Sequence, residues 1–206
     1  MKQNQLRGWV IAVLVLLLGL YTIYSAVGHL LPLWSKSSNL DLEQMRLVYR
    51  YAGVFVYSAI PVCLMVIGRL LMGSKDGDVR LVKTAGALLI ADGLLSLLKQ
   101  GLVLAELISG QLINSPGVAV TQSTIGALLI CTAMILIALY YGEKKMLGWA
   151  IAGTVFKIVF VSALSTFHLT GNTSAATVFG ICSVGVLVCE VVYYVKWSKL
   201  LKRQNA

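Results

Sequence analysis

The sequence predicts an all-α, polytopic integral membrane protein with six transmembrane helices, and three observations carry that prediction. Of its 206 residues, 58% are hydrophobic and 12% are charged, and the mean hydropathy is +0.85; a soluble domain carries about one-quarter charged residues. Several apolar runs reach about 20 residues, the length a helix needs to cross a bilayer. The basic residues gather at the ends of those runs instead of forming a patch. That is the pattern of membrane topology. The net charge of +9 is therefore read as orientation in a lipid bilayer, with no nucleic acid as a partner. The longest polar stretch, Trp34 to Arg50, is too short to build a core, so residues 1–206 form a single transmembrane domain.

The six spans are placed at 8–31, 51–72, 81–108, 117–141, 147–168 and 175–196. Eleven basic residues fall on one side of this arrangement: Lys2, Arg7, Lys75, Arg80, Lys83, Lys144, Lys145, Lys196, Lys199, Lys202 and Arg203, with Arg69 close by. The other side has Lys36, Arg46 and Arg50. This asymmetry predicts a multi-pass protein of the cell (plasma or inner) membrane with both termini in the cytoplasm. Lys2 and Arg7 before an apolar run resemble a signal peptide, but no small-residue cleavage pattern follows and the run continues to Leu33, so a retained first helix is expected. Trp9, Trp149, Trp197, Tyr140, Tyr141, Tyr193 and Tyr194 would form the inner interfacial belt, and Trp34 the outer one.

Span one is apolar to Leu20 and then turns polar at Tyr21, Thr22, Tyr24, Ser25 and His29. Ser38-Asn39-Leu40-Asp41-Leu42-Glu43 is a helix-start signal, which predicts a short interfacial helix leading into span two. Pro61 should kink span two, because it lacks the N–H that closes a helical turn. Gly73-Ser74-Lys75-Asp76-Gly77-Asp78 reads as a solvated turn without the spacing of a calcium loop. Span four opens with Thr121, Gln122, Ser123 and Thr124. Span five places Lys157 ten residues past Leu147, near mid-membrane at about 1.5 Å per residue, with Thr154, Ser165 and His168 near its face. Span six has Ser183 and Glu190 on one stripe, and Gly180 and Gly185 where another helix can approach closely. Cys63, Cys131, Cys182 and Cys189 lie in apolar segments without a CxxC, so neither a disulfide nor a metal is expected.

Two faint internal echoes suggest an ancestral two-span repeat. Thr84 to Ile90 (TAGALLI) parallels Thr124 to Ile130 (TIGALLI), and Gly8 to Ala12 (GWVIA) parallels Gly148 to Ala152 (GWAIA). Ser123-Thr124-Ile125-Gly126-Ala127-Leu128-Leu129-Ile130-Cys131-Thr132, following Pro116, resembles a segment of the HdeD-type acid-resistance membrane proteins, which also have six spans in three hairpins. The resemblance covers one apolar decapeptide and the architecture. It implies a bacterial inner-membrane protein linked to acid stress, and it does not extend to Asp92, Lys99, Lys157 or Glu190.

Span three carries the chemistry. Asp92, Lys99 and Glu106 are spaced by seven, and a helix drifts by only about 20° per heptad, so the three share a face. Ser96 and Gln100 fall on the same stripe, while Leu94, Leu95, Leu97, Leu98 and Leu102 fill the rest of the surface. Such a stripe must be hidden from hydrocarbon, so span three is expected to be the inner wall of a bundle. Counting depth from the cytoplasmic ends puts Asp92 beside Lys157, Glu190 nearer the cytoplasm, and Lys99, Glu106 and His168 nearer the outside. Asp92 with Lys157 then has two readings. It is either a protonation or ion site whose proton affinity Lys157 sets, or a buried pair that fixes helix registry.

Enzyme signatures are absent from the sequence. No serine-nucleophile elbow surrounds Ser123, no histidine pair on one helix suits a metal or haem, and no glycine-rich phosphate loop occurs. The expectation is a small non-enzymatic transporter or channel-like protein, proton- or ion-linked, without cofactor or metal. Its pathway would comprise Asp92, Ser96, Lys99, Gln100, Lys157 and Glu190. Six short helices enclose little volume, which favours a homo-oligomer or a membrane complex. The alternative is a non-catalytic membrane subunit or an acid- or envelope-stress protein that acts through partners.

Overall fold

The computed structural model describes residues 3–38, 41–73, 79–110 and 115–204, which form helices throughout. The first span is made of α1 (Gln3–Val15), a π-helical stretch (Leu16–Tyr21) and α2 (Thr22–Ser38). The other elements are α3 (Leu42–Met72), α4 (Val79–Ser109), α5 (Pro116–Tyr140), α6 (Lys144–Thr170) and α7 (Thr173–Arg203). Among the described residues, six helical segments are long and apolar enough to cross a membrane: Gln3–Gly28, Leu42–Met72, Arg80–Ser109, Gly117–Tyr140, Lys144–Phe167 and Ser174–Arg203. The protein is an all-α, multi-pass membrane protein.

Local chemistry sets the helix ends. Asp41 caps α3 by accepting a hydrogen bond from the Glu43 N–H at 2.9 Å. The helix-start signal thus works as read, but it opens span two itself instead of a separate interfacial helix, and α3 runs through without a break. Pro61 is buried within it. Ser115 caps α5 ahead of Pro116 at the first turn, where a missing N–H costs nothing. Asn172 caps α7, and Gly171 ends α6 with a left-handed φ of 67°, a conformation open to glycine without strain. The turn residues 74–78 and the side chains of His29 and His168 lie outside the described residues.

Short connections make chain neighbours antiparallel. Gln3 Nε2 donates to Gln204 Oε1 at 3.4 Å, so α1 begins and α7 finishes at the same end of the bundle, the basic end. That end is solid. Leu6, Val10, Ile67, Leu71, Val82, Ile137, Met146, Tyr193, Trp197 and Leu201 are all at most 2% exposed. Tyr193 donates its hydroxyl proton to the Met134 carbonyl at 2.8 Å and stacks edge-on with Tyr194 and Trp197. Here the sequence expectation is corrected. Tyr193, Tyr194 and Trp197 are core residues, not an interfacial belt, because α7 turns that face toward α1 and the bundle interior.

Glycines let particular helices touch. A Cβ on Gly68 would lie 2.5 Å from the Gly86 carbonyl oxygen, and one on Gly86 would lie 2.6 Å from that of Gly68. The backbones of α3 and α4 therefore meet directly. Gly185 makes room for the Phe156 ring, whereas Gly180 faces open space. The two TxGALLI stretches lie on α4 and α5, which run in opposite directions, so that echo does not fit a hairpin repeat. The GWxIA pair, on α1 and α6, runs in the same direction and does.

At the opposite end, α2 is fastened to α3 by two tyrosines that exchange hydrogen bonds. Tyr24 donates to the Tyr49 carbonyl and Tyr49 to the Tyr24 carbonyl, each at 3.1 Å, with the rings stacked 4.1 Å apart. Four residues on from each tyrosine, Gly28 and Gly53 leave the space that the partner's hydroxyl occupies. Gly53→Ala is expected to expel the Tyr24 hydroxyl and destabilise the fold by about 1–3 kcal/mol, the range for overpacking. Tyr24→Phe should cost about 1 kcal/mol, the net worth of one hydrogen bond. Thermal melting in detergent reads both. A Gly53→Ala protein as stable as the parent would show that the clasp is not closed.

Candidate functional site

Between the solid end and the clasp lies a cavity of about 380 Å³, large enough for a small molecule. Its walls come from α1, the π-helical stretch and α3 to α7. All six residues expected on the pathway, Asp92, Ser96, Lys99, Gln100, Lys157 and Glu190, line it. Gln122, Ser123, Ser183 and Tyr194 join them.

Three of its charges share one level. Asp92 is thirteen residues past the start of α4, Lys157 thirteen past the start of α6, and Glu190 thirteen before the end of α7. All three helix ends are at the basic end, so each residue lies about 20 Å along its helix. Lys157 pairs with Glu190, Nζ to Oε1 at 2.6 Å, and each side chain is 17% exposed. This overturns the expected ion pair of Asp92 with Lys157. Span six continues to Arg203 instead of stopping at 196, which brings Glu190 level with Lys157 and gives the lysine a closer carboxylate on the adjoining helix.

Asp92 is left differently. It is 7% exposed, and among the described residues no hydrogen bond or ion pair reaches its carboxylate. Its closest special neighbour is an absence of side chain, since a Cβ on Gly126 would sit 3.2 Å from Oδ1. The carboxylate feels Lys157 and Glu190 electrostatically with opposite sign. The nearby Lys157 ammonium attracts it but forms its ion pair with Glu190. A buried, unpaired charge is costly in a low-dielectric interior.

Further from the basic end, the Lys99 ammonium donates to Ser123 Oγ at 3.3 Å. Gln122 Oε1 is buried without a hydrogen-bond partner in the same wall. Glu106 does not line the cavity, so the heptad stripe divides and its first two charges, Asp92 and Lys99, are the ones that line it. Thr154 and Ser165 bond back to the carbonyls of Ala150 and Val161 at 2.8 Å each and take no part in the site. The four cysteines are free and buried.

Sequence reasoning missed Gln122, Gly126, Tyr194 and the π-helical stretch at the cavity wall. A signal existed for α5. Gln122, Ser123, Gly126 and Ile130 recur at spacings of three and four, one face of a helix. Gly19 alone gives no warning of a π turn, a feature that recurs at functional sites. No protein-family model, curated protein or solved structure matches this chain.

Proposed function

We propose that the protein is a small, non-enzymatic transporter or channel-like protein. Its pathway runs through this cavity, and Asp92 is the group that binds the transported or coupling proton or ion. The observation that supports this is the unpaired Asp92 carboxylate. It is held in a polar cavity halfway along the bundle, while a neighbouring lysine is committed elsewhere. A carboxylate kept only to fix registry would take Lys157 as its partner. The excess of basic residues at the solid end supports a cytoplasmic placement of that end and of both ends of the described chain. On that orientation the buried Tyr193, Tyr194 and Trp197 stand between the cavity and the cytoplasm. Proteoliposomes with an internal pH indicator test the reading. An imposed gradient should collapse faster than in protein-free vesicles, and rates no faster than those of protein-free vesicles, for proton and alkali-cation gradients alike, would overturn it.

A second reading has one observation in its favour. Val155, Ile158 and Val159 on α6 and Ile181, Val184 and Val188 on α7 are exposed, an apolar face that suits a partner helix as well as lipid. On that reading the chain is a membrane subunit or an acid-stress protein, as the HdeD-like decapeptide implies, and the vesicles should show no flux.

A further inference from the structure

The charges lining the cavity do not cancel locally. Lys157 and Glu190 neutralise each other at 2.6 Å. That leaves the Asp92 carboxylate at the level of the pair, and the Lys99 ammonium nearer the clasp, where among the described residues it hydrogen-bonds the Ser123 hydroxyl. Position along α5 gives the gap between these two poles. The carboxylate lies against Gly126 and the ammonium against Ser123, three residues earlier, or about 4.5 Å along the axis. The α4 positions themselves are seven residues apart, about 10 Å. The poles therefore stand on the order of 5–10 Å apart, and among the described residues no ion pair joins them. The cavity is thus neutral overall but strongly dipolar, negative at depth and positive toward the clasp.

A ligand with a single charge satisfies one pole and leaves the other bare. A ligand with an ammonium at one end and an anionic group at the other satisfies both. The cavity volume of about 380 Å³ admits such a molecule with a short alkyl spacer. The apolar lining from Leu95, Ile130 and Phe160 suits the spacer. We infer that the cavity binds a small zwitterion whose charges are separated by several carbons, of the ω-amino acid type, with its ammonium on Asp92 and its anionic end on Lys99. This rests on the transport reading of the same cavity and names a substrate whose ammonium would take the place of the coupling proton or ion on Asp92.

The test uses the full chain in nanodiscs and five probes: 4-aminobutanoate, 6-aminohexanoate, the isomer 2-aminobutanoate, and the single-charge analogues butanoate and n-butylammonium. Binding is read by calorimetry and by the shift in melting temperature. The two ω-amino acids are expected to bind at least tenfold more tightly than 2-aminobutanoate and than either single-charge analogue. Asp92→Asn and Lys99→Gln should each weaken 4-aminobutanoate at least tenfold. The comparison among probes on the unmodified protein stands even if a variant fails to fold. Equal binding of n-butylammonium and 4-aminobutanoate would overturn the inference and leave a cation site. Absence of binding by all five, alongside Asp92-dependent proton flux in vesicles, would also overturn it while the transport reading survives. Absence of both binding and flux would remove the two together.

Discussion

Lys157→Met is expected to destabilise the protein by about 3 kcal/mol, at the low end of the range for breaking a buried ion pair. The loss is that large because Glu190 would be left in the bundle without its cation. It is not larger because both groups line a cavity and keep some access to it. Glu190→Gln alone should cost a similar amount. The double variant Lys157→Met/Glu190→Gln should cost no more than either single change, since neither charge is then stranded, giving a coupling energy of about 3 kcal/mol for the pair. The same cycle on Asp92 and Lys157 should show a much smaller coupling. Melting in detergent measures both cycles. A larger coupling for Asp92 with Lys157 than for Glu190 with Lys157 would refute the pairing.

Asp92→Asn is expected to leave the melting temperature unchanged or raise it, by a gain of about 1 kcal/mol or more. No hydrogen bond or ion pair among the described residues is lost, the side-chain volume is nearly kept, and a desolvated charge is removed. Most substitutions of a buried residue destabilise, so a neutral or stabilising result marks a group retained against stability. A loss of more than about 2 kcal/mol would instead assign Asp92 a structural role, in the range for a buried group stripped of its partners.

The part of this site that lies within single helices was legible in the sequence. Asp92, Ser96, Lys99 and Gln100 are four residues of one helix, and the 3.6-residue period reports their shared face without knowledge of any neighbour. Their placement on the inner wall followed from the cost of polar groups in hydrocarbon. The errors arose between helices. Depth reckoned from the flanking lysines, Lys83 and Lys196, misplaces Glu190, because α7 runs on to Arg203, nearly two turns past Lys196, and the match of Glu190 with Lys157 is hidden. Rotation was equally invisible. Tyr193, Tyr194 and Trp197 have the composition of an interfacial belt and the depth of one, and only packing against α1 turns them inward. Glu106 shares a stripe with Asp92 by heptad count but does not reach the cavity, because the cavity ends below it. The Tyr24–Tyr49 clasp depends on a Tyr-x-x-x-Gly pattern that occurs twice, at Tyr24 with Gly28 and Tyr49 with Gly53, and reads as a pattern only when the two helices are seen side by side.

The most direct test of the central claim is flux through reconstituted Asp92→Asn at matched incorporation and orientation. Gradient collapse should fall to the protein-free rate while the variant melts no lower than the parent. Flux equal to the parent's would contradict it, and would move the functional centre away from Asp92.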